Sequence, residues 1–380
     1  MTKKIYKSYR YALRPTKEQL TLLKKHFGSV RYVFNHFLAS KQEQYKQDKK
    51  SDNYTKQAAA LTQLKKQADK QWLKEVNSQS LQTALRHLDR AFVNFFNGKA
   101  KYPRFKKKHA KNSFTVPQFV KVVGNRLYIP KFKGGIKLIL HRPVQGRIKH
   151  CTLTQTPTGK LFVSILCEVV YQVLPSSQQA VGLDLGLKDF AVFSDENKAA
   201  NHKYLKRYEQ QLAKAQRRLS KKQKKSNSWK RMRLKIARIY EKIANARLAF
   251  LHQLSWQIVR DYDIICLETL NVKGMMANKK LAKHIADASW ATFVRLLEYK
   301  AAWNNKRIVK VDRFYPSSKT CHKCGYIHKT LQLSERTWTC GNGHVLDRDL
   351  NASKNILKEG LRLIGAELSD YTGGGLVKTS

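Results

Sequence analysis

Apolar residues in the first hundred positions follow one extended and two helical patterns. Residues 4–14 alternate enough to predict a strand. Thr16 and Gln19 have the spacing of a capping box, which predicts that a helix begins there. A second helix is predicted over about 78–96, with its end at Gly98. The apolar stripes of the two helices are Leu20, Leu23, Phe27, Val30, Phe34 and Leu38, and then Leu81, Leu85, Leu88, Phe92 and Phe95.

The pattern becomes strand-like over residues 113–173. Gly124-Asn125 and Gly159 mark turns between short apolar runs, and short strands at this spacing predict a small β-barrel. The basic segment 99–111 precedes these strands. It contains Arg104, Phe105 and Lys106, a mixture that suits contacts with nucleic-acid backbone and bases. A solvated linker explains the same composition equally well.

Apolar residues at helical spacing predict a helical hairpin over residues 203–260, with one apolar face and a basic outer face. Residues 203–247 contain seventeen Lys or Arg and only two Glu. Solvated helices normally mix charges of both signs to gain i,i+4 pairs, so this pattern favours a polyanion partner. The break between the two helices contains four lysines: Lys221, Lys222, Lys224 and Lys225.

The charge of the whole chain strengthens that expectation. Its 380 residues, enough for two or three domains, include 75 Lys and Arg against 26 Asp and Glu, a formal net charge of +49. Nucleic acid is the expected partner, with an anionic membrane as the rival. No apolar run approaches the roughly 18 residues of a transmembrane helix, and the N-terminus lacks a signal-peptide core. We therefore expect a cytoplasmic protein without a membrane partner.

Three carboxylates lie in unusual apolar settings. Asp184 and Glu268 belong to predicted apolar strands, and Asp349 opens a predicted helix. An ionised carboxylate in an apolar strand is costly unless it is paired or bound to metal, and divalent cations would relieve the repulsion among three of them. Individually, Asp349 could be a helix N-cap and Glu268 a salt-bridge partner. The sequence has no phosphate-binding GxxxxGK[ST] motif.

Three of the six cysteines are grouped, as Cys321-x2-Cys324-x15-Cys340, which is most of a four-ligand zinc pattern. Gly343 occupies the position of the expected fourth cysteine, and His344 follows it. A Cys3His set is a normal structural zinc site, so His344 is the expected fourth ligand, with His322 and His328 as competitors. The alternative is a metal-free loop. The other cysteines, Cys151, Cys167 and Cys266, are expected in the core.

Five motifs follow one another along the second half of the chain: GLDLGLKDFAVFSD, IICLETLNVKGM, FYPSSKTCHKCGY, RTWTC and DRDLNASKNI. Together they resemble, in the same order, the motifs of the TnpB (OrfB) proteins, which are transposon-associated, RNA-guided DNA endonucleases related to type V CRISPR effectors. The resemblance covers nearly all of residues 5–360.

The resemblance implies a multidomain α+β and α/β protein. A wedge-like β-barrel would carry an inserted helical recognition domain, and a RuvC-like nuclease of RNase H fold would carry an inserted zinc-ribbon-like module. The implied segments are 1–15 (first wedge strand), 16–100 (recognition domain), 101–175 (wedge barrel), 176–315 (nuclease, with the basic hairpin 203–260), 316–346 (insert that binds target nucleic acid), 347–362 (end of the nuclease) and 363–380 (flexible tail).

The resemblance also implies that Asp184, Glu268 and Asp349, rather than Asp347, are the catalytic residues and hold two Mg²⁺ or Mn²⁺ ions. One ion would activate water and the other would stabilise the leaving 3′-oxygen. The implied partners are a guide RNA from the transposon end, one protein per RNA, and double-stranded target DNA, near the bacterial or archaeal nucleoid.

Recognition of a short transposon-adjacent motif would precede a staggered cut. Gln82, off the apolar stripe, and Tyr54 are candidates to read that motif, although both also fit an ordinary surface. A non-cleaving regulator of transposition and a DNA-joining transposase are the alternative functions.

Overall fold

The computed structural model describes residues 1–49, 52–108, 112–332 and 335–365, which form two compact units. One unit spans Thr2–Tyr171, and the other comprises Met1 and the chain from Gln172. The prediction that the tail begins at 363 is wrong for residues 363–365, which are the end of the last helix, and the rest of the predicted tail, 366–380, lies outside the described residues. Among the helices of the described segments, none is long and apolar enough to cross a bilayer.

The first unit is built on a seven-stranded sheet that curls into a half-barrel. Although β1 comes first in the chain, it lies between β7 and β5, and its odd-numbered residues Ile5, Tyr9 and Leu13 are buried. The sheet order is β2-β6-β7-β1-β5-β4-β3. The strands are β1 (Thr2–Arg14), β2 (Asn112–Val116), β3 (Lys121–Val123), β4 (Arg126–Tyr128), β5 (Ile136–Ile139), β6 (Arg147–Gln155) and β7 (Leu161–Gln172).

A helical block follows β1 in this unit. The predicted capping box is present, because the Gln19 backbone N–H donates to Thr16 Oγ1 at 3.3 Å and Gln19 Oε1 accepts from the Thr16 N–H at 3.1 Å. The predicted apolar stripe is confirmed by Leu23 and Leu38, which are fully buried. The elements are α1 (Lys17–Asp48), α2 (Tyr54–Leu64), a 3-10 helix (Ala68–Glu75) and α3 (Ser78–Phe96).

The second unit contains a five-stranded sheet of order β10-β9-β8-β11-β12. The strands β8 and β12 both run parallel to β11, whereas β9 is antiparallel to β8 and to β10. With helices on both faces, this is the RuvC-like RNase H fold that the sequence predicts. The strands are β8 (Ala180–Asp184), β9 (Asp189–Phe193), β10 (Lys198–Ala200), β11 (Ile264–Glu268) and β12 (Arg307–Val311).

Alternate residues of β11 enter different cores. Ile265 and Leu267 pack into the cluster that also contains residues of α6 and α9, whereas Ile264 and Cys266 pack with residues of α10. The helices of this unit are α4 (Tyr204–Arg207), α5 (Glu209–Ser220), α6 (Asn227–Asp261), α7 (Val272–Met275), α8 (Ala282–Ala288), α9 (Trp290–Trp303) and α10 (Arg348–Gly365). As predicted, Cys151, Cys167 and Cys266 are buried core residues.

A small module lies between β12 and α10. It contains the hairpin of β13 (Thr337–Thr339) and β14 (Val345–Asp347). Its own core is formed by Leu331, Trp338 and Leu346 with two of the grouped cysteines, Cys321 and Cys340. A core this small is normally stabilised by a metal or by disulfides.

Candidate active site and metal centre

Two of the three carboxylates stand at the same edge of the five-stranded sheet. Leu183 of β8 is paired with Leu267 of β11 in a parallel register, and Asp184 and Glu268 are the next residues. Val181, Leu183 and Leu267 face the α6 and α9 side, so alternation turns Asp184 and Glu268 toward α10. Both carboxylates therefore face the helix that carries Asp349.

Helix α10 approaches β8 and β11 closely because two positions lack side chains. A Cβ atom on Gly182 would lie 2.1 Å from the Ser353 carbonyl oxygen, and one on Gly360 would lie 2.3 Å from Cys266 Sγ. Real Cβ atoms essentially never come so near another atom. Glycine at these positions allows α10 to lie against the strands with Asp349 in its first turn.

Asp184 lies within the electrostatic influence of the other two carboxylates. Burial, together with the charges of Asp349 and Glu268, raises the pKa of Asp184 to about 7, against the opposing effect of Arg348 and Arg336. Burial also raises the pKa of Glu268, although the Ser317 hydroxyl donates to its Oε1 at 3.1 Å. This is the electrostatic state of acidic groups that a divalent cation would stabilise.

The neighbouring aspartates of DRD have different roles. Asp347 Oδ1 accepts the backbone N–H groups of Asp349 at 3.0 Å and Leu350 at 2.9 Å, so Asp347 caps α10. The carboxylate of Asp349 accepts from Arg348 Nη2 at 2.9 Å and from Arg336 Nη1 at 3.3 Å. The sequence alternative that Asp349 is the N-cap is therefore wrong.

The ligand atoms of Cys321, Cys324, Cys340 and His344 all lie within 4.8 Å of one another. Cys324 Sγ is 3.7 Å from Cys340 Sγ, and His344 Nδ1 is 3.2 Å from Cys340 Sγ and 3.9 Å from Cys321 Sγ. Tetrahedral zinc with Zn–S bonds of about 2.3 Å has sulfur–sulfur separations of roughly 3.8 Å. The four side chains fit such an ion.

The position of the expected fourth cysteine is occupied by a glycine because the second turn of the cluster is shorter than the first. In the first turn, the Cys321 N–H donates to the Tyr326 carbonyl and the Gly325 N–H donates to the Cys321 carbonyl. The second turn repeats this pattern one residue shorter, with Cys340 donating to His344 and Gly343 to Cys340. Gly343 has φ +79°, a conformation that favours glycine. Gly343 thus corresponds to Gly325 of the first turn, and His344, whose carbonyl accepts the Cys340 N–H, carries the fourth atom of the cluster.

The competing histidines point elsewhere. The backbone N–H of His322 lies 2.9 Å and its ring Nδ1 3.0 Å from Asn351 Oδ1, and the ring of His328 packs edge-on against Trp338. Although burial opposes ionisation of the Cys340 thiol, the backbone N–H groups of His344 and Asn342 lower its pKa to about 6. A thiolate is the form that binds metal.

Several residues around the carboxylates were not identified from the sequence. Asn355 Nδ2 donates to the Ser317 carbonyl at 2.8 Å, and Asn351 Nδ2 donates to the Thr320 carbonyl at 2.7 Å. These bonds tie α10 to the loop whose Ser317 hydroxyl holds Glu268. The spacing of Asn351 and Asn355 by four residues, on one face of a predicted helix, was the available signal.

The residues predicted to contact nucleic acid are distributed over both units. In the first unit, the Arg86 guanidinium lies 5.2 Å from the Tyr54 ring centroid, and Gln82 is exposed one turn before Arg86. Arg104 and Phe105 are exposed. Lys106 is instead partly buried, with Nζ 3.8 Å from the Phe34 ring centroid, and burial lowers its pKa to about 8.

The four lysines of the hairpin break belong to the second unit. They are exposed in the turn between α5 and α6, as the charge pattern predicts. The residues are Lys221, Lys222, Lys224 and Lys225.

Three family models match the chain. The OrfB_IS605 model, described as "Probable transposase", matches residues 155–279. A model described as "Cas12f1-like, TNB domain" matches residues 290–356, and one described as "Helix-turn-helix domain" matches residues 1–50.

Two relatives match over almost their whole length. A Streptomyces pristinaespiralis protein named "Putative RNA-guided DNA endonuclease" is 38% identical over 95% of this chain and 91% of its own. The Escherichia coli (strain K12) protein "Putative RNA-guided DNA endonuclease InsQ" is 33% identical over 93% of this chain and 92% of its own. Among solved structures, a Cas12f1-sgRNA-target DNA complex aligns with 93% of this chain and 99% of its own at 15% identity and a TM-score of 0.37, too weak a likeness to indicate more by itself.

Proposed function

Because this chain belongs to the TnpB (OrfB) family, we propose that it is an RNA-guided, divalent-metal-dependent DNA endonuclease. The observation that carries the proposal is the convergence of Asp184, Glu268 and Asp349 at one sheet edge, with the pKa of Asp184 raised to about 7 by burial and by the other two carboxylates. Such a site suits phosphodiester hydrolysis next to metal ions.

The three carboxylates would hold two Mg²⁺ or Mn²⁺ ions. Bound there, the ions would stabilise the attacking and the leaving oxygens of a phosphodiester. The protein residues around them fix geometry: the Ser317 hydroxyl holds Glu268, and the Asp347 cap orients the first turn of α10 and hence Asp349. Preorganised ligands of this kind reduce the reorganisation required during the reaction.

The Cys3His cluster would hold a structural Zn²⁺. The thiolate character of Cys340 and the fit of the four ligand atoms to a tetrahedral ion support this choice of metal. The small core of the module would gain its stability from the ion. Asn351 and His322 then connect the module to α10 next to Asp349.

The nucleic-acid partners would be a guide RNA from the transposon end, one protein per RNA, and double-stranded target DNA beside a short transposon-adjacent motif. A net charge of +49 is neutralised by such partners, and the exposed lysines between α5 and α6 suit backbone phosphates. Gln82 and Tyr54 remain predictions for the motif. Because base pairing with the guide RNA would recognise the target sequence, only a few side chains need to contact DNA bases. The protein would act in the cytoplasm, at the nucleoid.

The proposal is tested by sequencing the RNA that co-purifies with the full chain and by incubating the complex with a plasmid that matches the 3′ end of that RNA. We expect one defined RNA species and staggered double-strand breaks in Mg²⁺. A random RNA population, or tight RNA binding without cleavage in Mg²⁺ or Mn²⁺, would favour a regulator instead. Strand-transfer products would indicate a DNA-joining transposase.

A further inference from the structure

Phe314 is one of the most exposed large apolar side chains among the described residues. It is 77% exposed, although its neighbour Tyr315 packs against a buried core. A single exposed phenylalanine is not unusual, so its surroundings decide whether it has a role.

The loop that carries Phe314 is firmly held on both sides. The Phe314 backbone N–H donates to Asp312 Oδ1 at 2.8 Å, and the Tyr315 N–H donates to the Asp312 carbonyl at 3.2 Å. Ser317 is buried, donates to Glu268 at 3.1 Å, and its carbonyl accepts from Asn355 at 2.8 Å. The ring is therefore presented to solvent by a fixed backbone, which lowers the entropy cost of binding.

Phe314 stands in the same cavity as a catalytic carboxylate. The cavity measures about 490 Å³, is open, and is lined by Glu268, Asn271, Met275, Arg313 and Phe314. The Arg313 guanidinium lies 4.4 Å from the Phe314 ring centroid. One ring face is thus occupied by a cation, and the ring still has a large exposed surface.

We propose that Phe314 binds the DNA strand that is cut, by stacking on the base of a nucleotide next to the phosphate held at Glu268, with Arg313 attracting the adjoining backbone. This inference rests on the proposed nuclease function. An aromatic ring accepts any base, because every base has a π-face, so stacking would position the strand without adding sequence preference. Phe314 would position the DNA strand in the active site, and the guide RNA would provide sequence specificity.

Stacking is measured directly by fluorescence, without cleavage. The RNA complex of Asp184→Ala is bound to target DNAs that carry 2-aminopurine at successive positions around the cut site. We expect strong quenching at one position, and its loss in Asp184→Ala/Phe314→Ala. Equal fluorescence profiles in the two proteins would overturn the proposal. Phe119→Ala, made in the same background, removes a phenylalanine of the other unit with nearly the same exposure (73%) and should leave the fluorescence profile unchanged.

Cleavage kinetics provide the second readout. Phe314→Ala should lower kcat/KM by roughly 5- to 150-fold, the factor that corresponds to stacking of one base, and Phe314→Trp should restore it. Removing the stacked base, with an abasic site at the quenched position, should slow the wild type by a similar factor but leave Phe314→Ala almost unaffected.

Additive losses from the abasic site and from Phe314→Ala would show that the ring does not act on that base and would overturn the inference. If the wild type cuts no matching target, the proposed function fails, whereas the fluorescence profile still decides whether Phe314 stacks.

Discussion

Asp347 and Asp349 are identical side chains separated by one residue, yet they make different contacts. Asp347 accepts two backbone N–H groups and caps α10, while the charge of Asp349 raises the pKa of Asp184. Sequence motifs identified the three acidic residues and the Cys3His set that the structure brings together, and their catalytic and metal-binding roles stay predictions. The motifs did not predict Arg336, Arg348 or Ser317 as partners, because those contacts depend on how separate segments pack.

Replacing Asp347 and Asp349 by asparagine, one at a time, distinguishes the helix-capping role of Asp347 from the proposed metal-binding role of Asp349. Asparagine caps a helix about as well as aspartate, so Asp347→Asn should retain cleavage within a few-fold of wild type. Asp349→Asn removes the charge of a proposed metal ligand and should lower the cleavage rate by at least roughly 100-fold. The measurement is cleavage of the matching plasmid at saturating Mg²⁺. Equal losses in both variants would mean that Asp347 itself holds metal.

At the scale of elements, the packing of α10 against β8 and β11 builds the site. The sequence predicted both strands and the helix start, from apolar runs and the acidic motif. It did not predict the sheet order or the register, because β9, β10 and β12 have only three to five residues and their alternation is too short to decide pairing. Gly182 is required by the close packing of α10 on β8, but this requirement can be recognised only when α10 is known to be the partner of β8.

Gly182→Ala tests the packing. Its Cβ would lie 2.1 Å from the Ser353 carbonyl oxygen, so α10 must shift away from β8 and carry Asp349 with it. We expect a loss of about 1–3 kcal/mol in the free energy of unfolding and a roughly 100-fold slower cut.

The matched control for Gly182→Ala is Gly28→Ala in α1, where no atom lies within 4 Å of the added Cβ. That change should leave cleavage intact and stabilise α1 by about 0.5–1 kcal/mol. Thermal denaturation and plasmid cleavage measure both variants. A fully active and stable Gly182→Ala would show that the close helix–strand contact is not required.

The metal centre is tested by metal analysis of the purified full chain. We expect one zinc per chain by mass spectrometry, loss of that zinc in His344→Ala, and retention in His322→Ala, whose ring belongs to the Asn351 contact instead. Zinc retained in His344→Ala but lost in His322→Ala would reverse the ligand assignment.

For the molecule as a whole, net charge and family resemblance predicted the partner and the function, whereas the pattern of apolar residues predicted only local elements. The excess of 49 positive charges indicated a polyanion partner before any element was placed, and the relatives cover nearly the full chain. The expected barrel is a curled half-barrel of seven strands. Its β1 joins β5 and β7 across more than a hundred residues, a pairing of distant segments that local apolar patterns do not encode.

The proposed catalytic role of the three carboxylates is tested most directly by comparing cleavage by the wild-type complex with cleavage by Asp184→Asn and Glu268→Gln, on a plasmid that matches the co-purified RNA. Asp195→Asn, which alters a carboxylate that accepts a hydrogen bond from the Tyr262 hydroxyl, is the matched control. We expect Mg²⁺-dependent cutting by wild type and Asp195→Asn, and at least a roughly 100-fold loss in the other two with RNA binding retained. Normal cutting by Asp184→Asn would contradict the catalytic role.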